Sequence, residues 1–263
     1  MIKLIVSDID GTLVNNKKEL PNNFWKVYDL IQEKNIRFCV ASGRQIQSLE
    51  QLFQPIAHEI GFASDNGALV RFQNKDLYEI PLEINSIMPI LEVCEQIPNA
   101  GTVVCGKNKA YIKTDFDNIF EEIALYYPAH QRIENFSDIK DSIFKISVCD
   151  KRFSRLNSYP KLERFSNEFN VVISGDLWLD ITDKNVNKGV ALKALQNLWN
   201  ISEEETLVFG DQLNDIEMMQ GAKFSYAMKN AQDEVKKVAS FITDYDNNNE
   251  GVIRKIEELL SQI

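Results

Sequence analysis

The apolar run Lys3 to Val6 stops abruptly at Ser7-Asp8-Ile9-Asp10-Gly11-Thr12. Two carboxylates at i and i+2, with a glycine and a hydroxyl behind them, read as a strand that ends at a site. If Asp8 closes a buried parallel strand, its carboxylate projects from the strand's carboxyl edge, where open α/β sheets hold their ligands. Asp10 then lies one step beyond, in the turn. Gly11 permits a close approach of backbone to a ligand, and the Thr12 hydroxyl can fasten the turn through backbone groups.

Three later stretches reinforce this reading. Val40-Ala41-Ser42-Gly43-Arg44 follows the β-forming run Ile36 to Val40 and precedes a helix-like segment, so backbone N–H groups there suit an anion. Asn187-Lys188-Gly189 opens a segment with Val190, Ala191, Ala194, Leu195 and Leu198 at helical spacing, which puts Lys188 in its first turn. Thr206 to Phe209 runs into Gly210-Asp211-Gln212-Leu213-Asn214-Asp215, a second strand that ends in acid. Each pattern alone is common; the four in this order are specific.

The order of elements predicts a doubly wound, Rossmann-like parallel α/β sheet interrupted by an α+β insert with an antiparallel sheet. Residues 1–82 and 183–263 form the core, and 83–182 the insert. Core elements are expected as strand 3–8, helix 21–33 with Pro21 in its first turn, strand 36–40, helix 45–53 and strand 61–64. A turn at Asn66-Gly67 then leads into a hairpin of 68–71 against 77–80. After the insert come helix 187–199, strand 206–209, helix 213–219, strands near 223–227 and 240–242, and a closing helix 250–262. The chain has 263 residues, 44% apolar and 26% charged, which is ordinary for a soluble globular protein. No apolar run approaches the roughly 18 residues of a membrane helix, Met1 passes straight into the first strand, and the four cysteines lack CxxC spacing. A cytoplasmic protein with reduced, buried cysteines is expected. The net charge of −10 disfavours nucleic acid and anionic membrane as partners. An anionic substrate therefore needs local attraction.

Asp8, Asp211 and Asp215 would converge at the carboxyl ends of adjacent strands. Two like charges about 4 Å apart cost on the order of 4 kcal/mol at an effective dielectric near 20. Either these carboxylates are partly protonated or a cation sits among them, and an all-oxygen set with room for water and phosphate oxygens suits Mg²⁺.

DIDGT, SGR, NKG and GDQLND resemble the four motifs of the haloacid-dehalogenase-like (HAD) hydrolase superfamily, and the size and position of the insert resemble its Cof-type phosphatases with a type IIB cap. SDNGALV (64–70) and AMKNAQDEV (227–235) match that family's supporting segments. Ser42 stands where threonine is more usual, Gln212 where asparagine is frequent, and Tyr226 and Lys229 where glycines are frequent. The resemblance implies a phosphatase of small phosphorylated metabolites, sugar phosphates above all, working through an aspartyl-phosphate. In it Asp8 is the nucleophile and Asp10 the general acid and base. Asp8 and Asp211 bind Mg²⁺ by side chain and Asp10 by its backbone carbonyl, with Thr12 and Asp215 behind them. Ser42, Gly43, Lys188 and Asn214, together with Arg44, are the phosphoryl contacts. The same family includes sugar phosphomutases, and a phosphosugar sensor without turnover is a further alternative that would lack Asp8 or Asp10. The insert carries no mechanism-bearing motif; Lys107, Lys109, Asp115 and Trp178 are candidates for substrate contact. A monomer or weak homo-oligomer is expected.

Overall fold

The first strand, β1 (Leu4–Ser7), is buried along its whole length, as an unbroken apolar run in a parallel sheet covered on both faces must be. The structure, a computed structural model, describes residues 1–261. The remaining strands are β2 (Arg37–Ala41), β3 (Gly61–Ser64), β4 (Leu69–Phe72), β5 (Lys75–Glu79), β6 (Ala100–Gly106), β7 (Ala110–Lys113), β8 (His130–Arg132), β9 (Ile143–Asp150), β10 (Phe169–Gly175), β11 (Trp178–Asp183), β12 (Thr206–Gly210), β13 (Phe224–Ala227) and β14 (Phe241–Ile242). The α-helices are α1 (Phe24–Glu33), α2 (Ile46–Leu52), α3 (Ile84–Glu95), α4 (Asp117–Ala124), α5 (Tyr159–Leu162), α6 (Lys188–Trp199), α7 (Ile216–Gln220), α8 (Asp233–Val238) and α9 (Gly251–Ser261).

The chain divides into two compact units, one of Met1–Gly43, Pro55–Tyr78 and Asn187 onward, the other of Arg44–Gln54 and Glu79–Val186. The second unit thus takes in Arg44–Gln54 as well as the insert.

The first unit carries a sheet in the order β14-β13-β12-β1-β2-β3-β4-β5. The chain moves from β1 through β2 to β3 in one direction, then restarts at β12 and moves to β13 and β14 in the other. All of these neighbours pair in parallel. The order therefore reverses between β1 and β12, a topological switch point, where sheets of this class bind ligands. Helix α1 packs on α9 and α6 on α7. This is the expected doubly wound α/β architecture with an α+β insertion.

The second unit has a six-stranded sheet, order β10-β11-β9-β6-β7-β8, antiparallel except between β7 and β8. Val104, Ile146, Val148, Leu179 and Ile181 share a core with Ile87, Ile90 and Leu91 of α3. Val103, Cys105, Ala110 and Ile112, on the opposite pleat, share another with Ile119 and Ile123 of α4.

Several local expectations are corrected. Helix α1 begins at Phe24, and Pro21 lies before it, its carbonyl accepting from Phe24 N (3.0 Å). The hairpin expected after Asn66-Gly67 is present as β4 and β5, with its turn at Gln73-Asn74, both with left-handed φ; the further antiparallel pairing of β3 with β4 is unforeseen. On α6 the buried positions are Lys188, Ala191, Leu192, Leu195 and Gln196, and Leu198 is exposed. Residues 213–219 split into a 3₁₀ turn and the short α7. Strand β8 and helix α8 were unforeseen; β8 is three exposed polar residues without alternation. Gln262 of the closing helix lies outside the described residues. All four cysteines are free and buried, and burial pushes the Cys39 and Cys94 thiols up to about 12 and that of Cys149 to about 11. Among the described residues no helix is long and apolar enough to cross a membrane.

Candidate active site

Strands β1 and β12 run side by side in the register Ser7↔Phe209, and Asp8 N donates to Phe209 O (3.0 Å). Both chains leave the sheet at the same level, each with an aspartate as its next polar residue. Asp8 is 5% exposed, Asp211 2% and Asp215 not at all. Their carboxylates form a cluster with one oxygen from each within 4.8 Å of the others.

Lys188 enters from α6. Asn187 caps that helix, its side chain accepting from Val190 N (2.9 Å), which fixes the first turn and hence the lysine. The amine, 1% exposed, donates to Asp8 Oδ1 and to Asp215 Oδ1, each at 2.6 Å. Asp8 Oδ2 accepts no hydrogen bond among the described residues. Asp215 is fully committed, since its Oδ2 accepts from the backbone N–H groups of Asp211 and Gln212, both at 2.9 Å. Asp211 is oriented by Thr12 Oγ1 (2.8 Å) on one oxygen and Gln212 Nε2 (2.9 Å) on the other. Gly11 has φ +81°, and a Cβ there would overlap Asp211 Oδ2, so both conformation and space demand glycine.

Asp10 stands apart from this cluster. Its carboxylate is half-exposed and pairs with Lys18 Nζ at 2.6 Å. Lys18 itself was not foreseen, and neither was Asn230, whose Nδ2 donates to Gly11 O (2.8 Å). Lys18 is one of two adjacent exposed lysines, and neither it nor an asparagine within 227–235 shows its partner until the fold closes these loops on the first turn. Ser42 is buried, with its N–H on Ala63 O and its carbonyl accepting from Asn66 N, both 2.9 Å. Asn214 Nδ2 donates to Asn66 Oδ1 (2.9 Å). The structure thus gathers Asp8, Thr12, Lys188, Asp211 and Asp215 by direct contact, with Ser42, Gly43 and Asn214 meeting at Asn66. Arg44 belongs to the second unit. Of the insert's candidates, Lys107 pairs with Glu79 (2.9 Å), Lys109 donates to Gln131 (3.2 Å), Trp178 meets Tyr126 edge-on, and Asp115 is exposed.

Burial pushes the Asp8 carboxyl up; Lys188 pulls it back, and Asp215 and Asp211 push it further, to about 8. Burial likewise raises Asp211 against the hydrogen bonds from Thr12 and Gln212. Burial disfavours charge on Lys188, yet Asp215 and Asp8 outweigh it and hold the amine protonated. One buried ammonium therefore faces three buried carboxyl groups. A hard divalent cation suits the remaining charge and the all-oxygen donors.

A family model described as haloacid dehalogenase-like hydrolase matches residues 5–256. The chain belongs to that family. This HAD hydrolase is 34% identical to the 5-amino-6-(5-phospho-D-ribitylamino)uracil phosphatase YbjI of Escherichia coli K12, over 98% of this chain and 96% of the relative. The crystal structure of SMU.1108c from Streptococcus mutans superposes with a TM-score of 0.87 at 30% identity, covering 99% of this chain and 100% of that one. The HAD subclass IIB sugar phosphatase BT4131 shares the fold, with a TM-score of 0.82 at 18% identity over 98% of each chain. The protein is a HAD-family phosphatase. Hydrolases of this family use a divalent metal, and Asp8, Asp211 and Asp215 form an acidic cluster of the kind that holds one.

Proposed function

We propose that this HAD phosphatase hydrolyses primary phosphate esters of small sugars and sugar alcohols with Mg²⁺, through a phosphoryl group carried on Asp8. The observation that carries the reading is the Lys188 amine, held at 2.6 Å from both Asp8 and Asp215. It ties down one Asp8 oxygen and leaves the other as nucleophile. The Asp8 carboxylate attacks phosphorus, the P–O bond to the alcohol breaks, and Asp10 gives its proton to the departing oxygen. In the second half Asp10 takes a proton from water, which attacks phosphorus, releasing phosphate and regenerating Asp8. Lys188, the Ser42 hydroxyl, the Gly43 N–H and Asn214 donate to the phosphoryl oxygens as charge shifts among them. Mg²⁺, when bound by Asp8, Asp211 and the Asp10 carbonyl, neutralises charge on the transferring group and makes the ionised form of Asp8 available at neutral pH. Thr12 and Gln212 hold Asp211 for that role, and Asp215 holds Lys188.

The preference for a phosphorylated polyol rests on the 34%-identical relative, whose named substrate carries a phosphorylated ribityl chain. Selection of the alcohol part is assigned to the insert, 83–182, because the four phosphoryl-transfer motifs all lie outside it. Four free cysteines suit a cytoplasmic enzyme. The test is phosphate release from a panel of sugar phosphates, sugar-alcohol phosphates and 5-amino-6-(5-phospho-D-ribitylamino)uracil, before and after chelation. Release should stop with chelator and return with Mg²⁺. Full activity after exhaustive chelation, or phosphate release confined to non-sugar esters, would overturn the reading; isomerised product without phosphate would make the enzyme a mutase.

A further inference from the structure

The turn after β3 carries three successive residues in the left-handed region, Asp65 (φ +49°), Asn66 (φ +59°) and Gly67 (φ +99°). A run of this kind is rare, because only glycine adopts it without cost and asparagine tolerates it best of the rest. It is maintained here by contacts to three distant segments. Asn66 N donates to Ser42 O (2.9 Å). A Cβ on Gly67 would come within 2.6 Å of Asn187 O, the cap of the helix that begins with Lys188. Asn66 Oδ1 accepts from Asn214 Nδ2 (2.9 Å), and the same oxygen would lie 3.2 Å from a Cβ on Gly43. One short turn therefore abuts the second, third and fourth motifs, and it belongs to none of them.

A turn that needed only a positive φ would be served by glycine at position 66. The side chain does more, for it reaches an amide 148 residues away in sequence. Asn214 is exposed, so without that acceptor its amide would rotate freely. Holding one N–H of Asn214 on Asn66 fixes the plane of the amide and so the direction of its other N–H. Filling the space beside Gly43 likewise fixes the backbone that follows Ser42.

We infer that Asn66 is a positioning residue for phosphate binding, orienting the Asn214 amide and the Gly43 backbone rather than merely shaping a turn. The inference rests on the proposed role of Asn214 as a phosphoryl contact, and the experiment separates the two. With the Mg²⁺-loaded full chain, competitive inhibition by inorganic phosphate is measured for wild type, Asn66→Gly, Asn214→Ala and the double variant, alongside kcat and KM. Glycine keeps the left-handed backbone and removes only the side chain.

Asn214→Ala and Asn66→Gly should each weaken phosphate about tenfold and raise KM accordingly, with melting temperature little changed. The double variant should be no worse than Asn214→Ala alone, because the effect of one passes through the other. If Asn214→Ala leaves phosphate affinity unchanged, the proposed role of Asn214 fails and takes this inference with it. If Asn214→Ala costs tenfold while Asn66→Gly stays within twofold of wild type, or if the two losses multiply, Asn66 is only a turn residue. Should Asn66→Gly not fold, Asn66→Asp decides. Its carboxylate keeps the shape and the acceptor but adds a negative charge beside the anion site, and must weaken phosphate by more than tenfold; wild-type affinity in that variant overturns the proposal.

Discussion

The two sheets handle buried polar groups in opposite ways. In the sheet built on β1 and β12 the buried charges, Asp8, Asp211, Asp215 and Lys188, sit just beyond the carboxyl ends of strands. In the six-stranded sheet they sit along it. Ser147 and Asp180 are directly opposite on β9 and β11, with Ser147 Oγ donating at 2.5 Å, and Asp150 accepts from Arg152 N, Asn157 Nδ2 and Ser158 N at the end of β9. The difference follows from strand direction. Parallel neighbours end at the same edge, so residues from remote motifs converge there. Antiparallel neighbours end at alternate edges, and a polar group finds its partner across the strand or in its own turn. Convergence leaves three carboxyl groups together with one ammonium, so their charge is only partly compensated, which is what chemistry needs; cross-strand pairing satisfies polar groups, which is what stability needs.

The strongest way to break this comparison is Asp8→Asn. The amide fills the same volume but cannot attack phosphorus, so turnover should vanish while circular dichroism stays unchanged. Retention of more than about a hundredth of wild-type kcat would remove Asp8 as nucleophile. Asp10→Asn comes next, with a loss of roughly 10²- to 10⁴-fold. The loss should be smallest for nitrophenyl phosphate, whose leaving group needs little protonation, and an equal loss across leaving groups would make Asp10 a turn or metal residue only.

A third prediction uses pH. The folded protein holds the Asp8 proton up to about pH 8, whereas the unfolded chain releases it near 3.8. Between those values the native state binds more protons than the unfolded one, so metal-free stability falls as pH rises from about 4 to about 8. Melting curves of apo wild type against apo Asp8→Asn isolate the share due to Asp8: the variant should show a shallower slope, what remains coming from the raised Asp211, and saturating Mg²⁺ should flatten the wild-type slope. A wild-type slope no steeper than the variant's would show that Asp8 is ionised throughout. The smallest effect is expected in the other sheet. Ser147→Ala takes a donor from Asp180 and should cost about 1–2 kcal/mol in denaturant unfolding, with hydrolysis of nitrophenyl phosphate unchanged. A large loss of that activity would mean the cross-strand pair serves the chemistry as well.

Much of the site was legible because its residues lie at strand ends, where an apolar run breaks into Asp, Gly and hydroxyl residues. Asp8, Asp211 and the turn residues Gly11 and Thr12 carry that local signature, while Lys188 was marked by the Asn-Lys-Gly start of α6. Asp10 was equally visible as a residue, but not its ion pair with Lys18, since nothing in a solvated loop says which carboxylate it will meet. Asn230 and Asn66 lie in segments that the sequence marked, but their partners were hidden for the same reason: Asn66 bonds Ser42 and Asn214, and Asn230 bonds Gly11 and Asn247, all in other segments.

What the chain alone determined about this protein is its alternation of strands and helices, the acids at two strand ends and the cysteines' apolar settings, because each depends on neighbours within a few residues. Tertiary structure alone decided that Lys188 bridges Asp8 and Asp215, that Asp215 spends both oxygens on protein donors, and that Arg44–Gln54 groups with the insert. Such choices among possible partners depend on which loops the sheet register brings to the same edge, and register is a property of paired strands, not of any one of them.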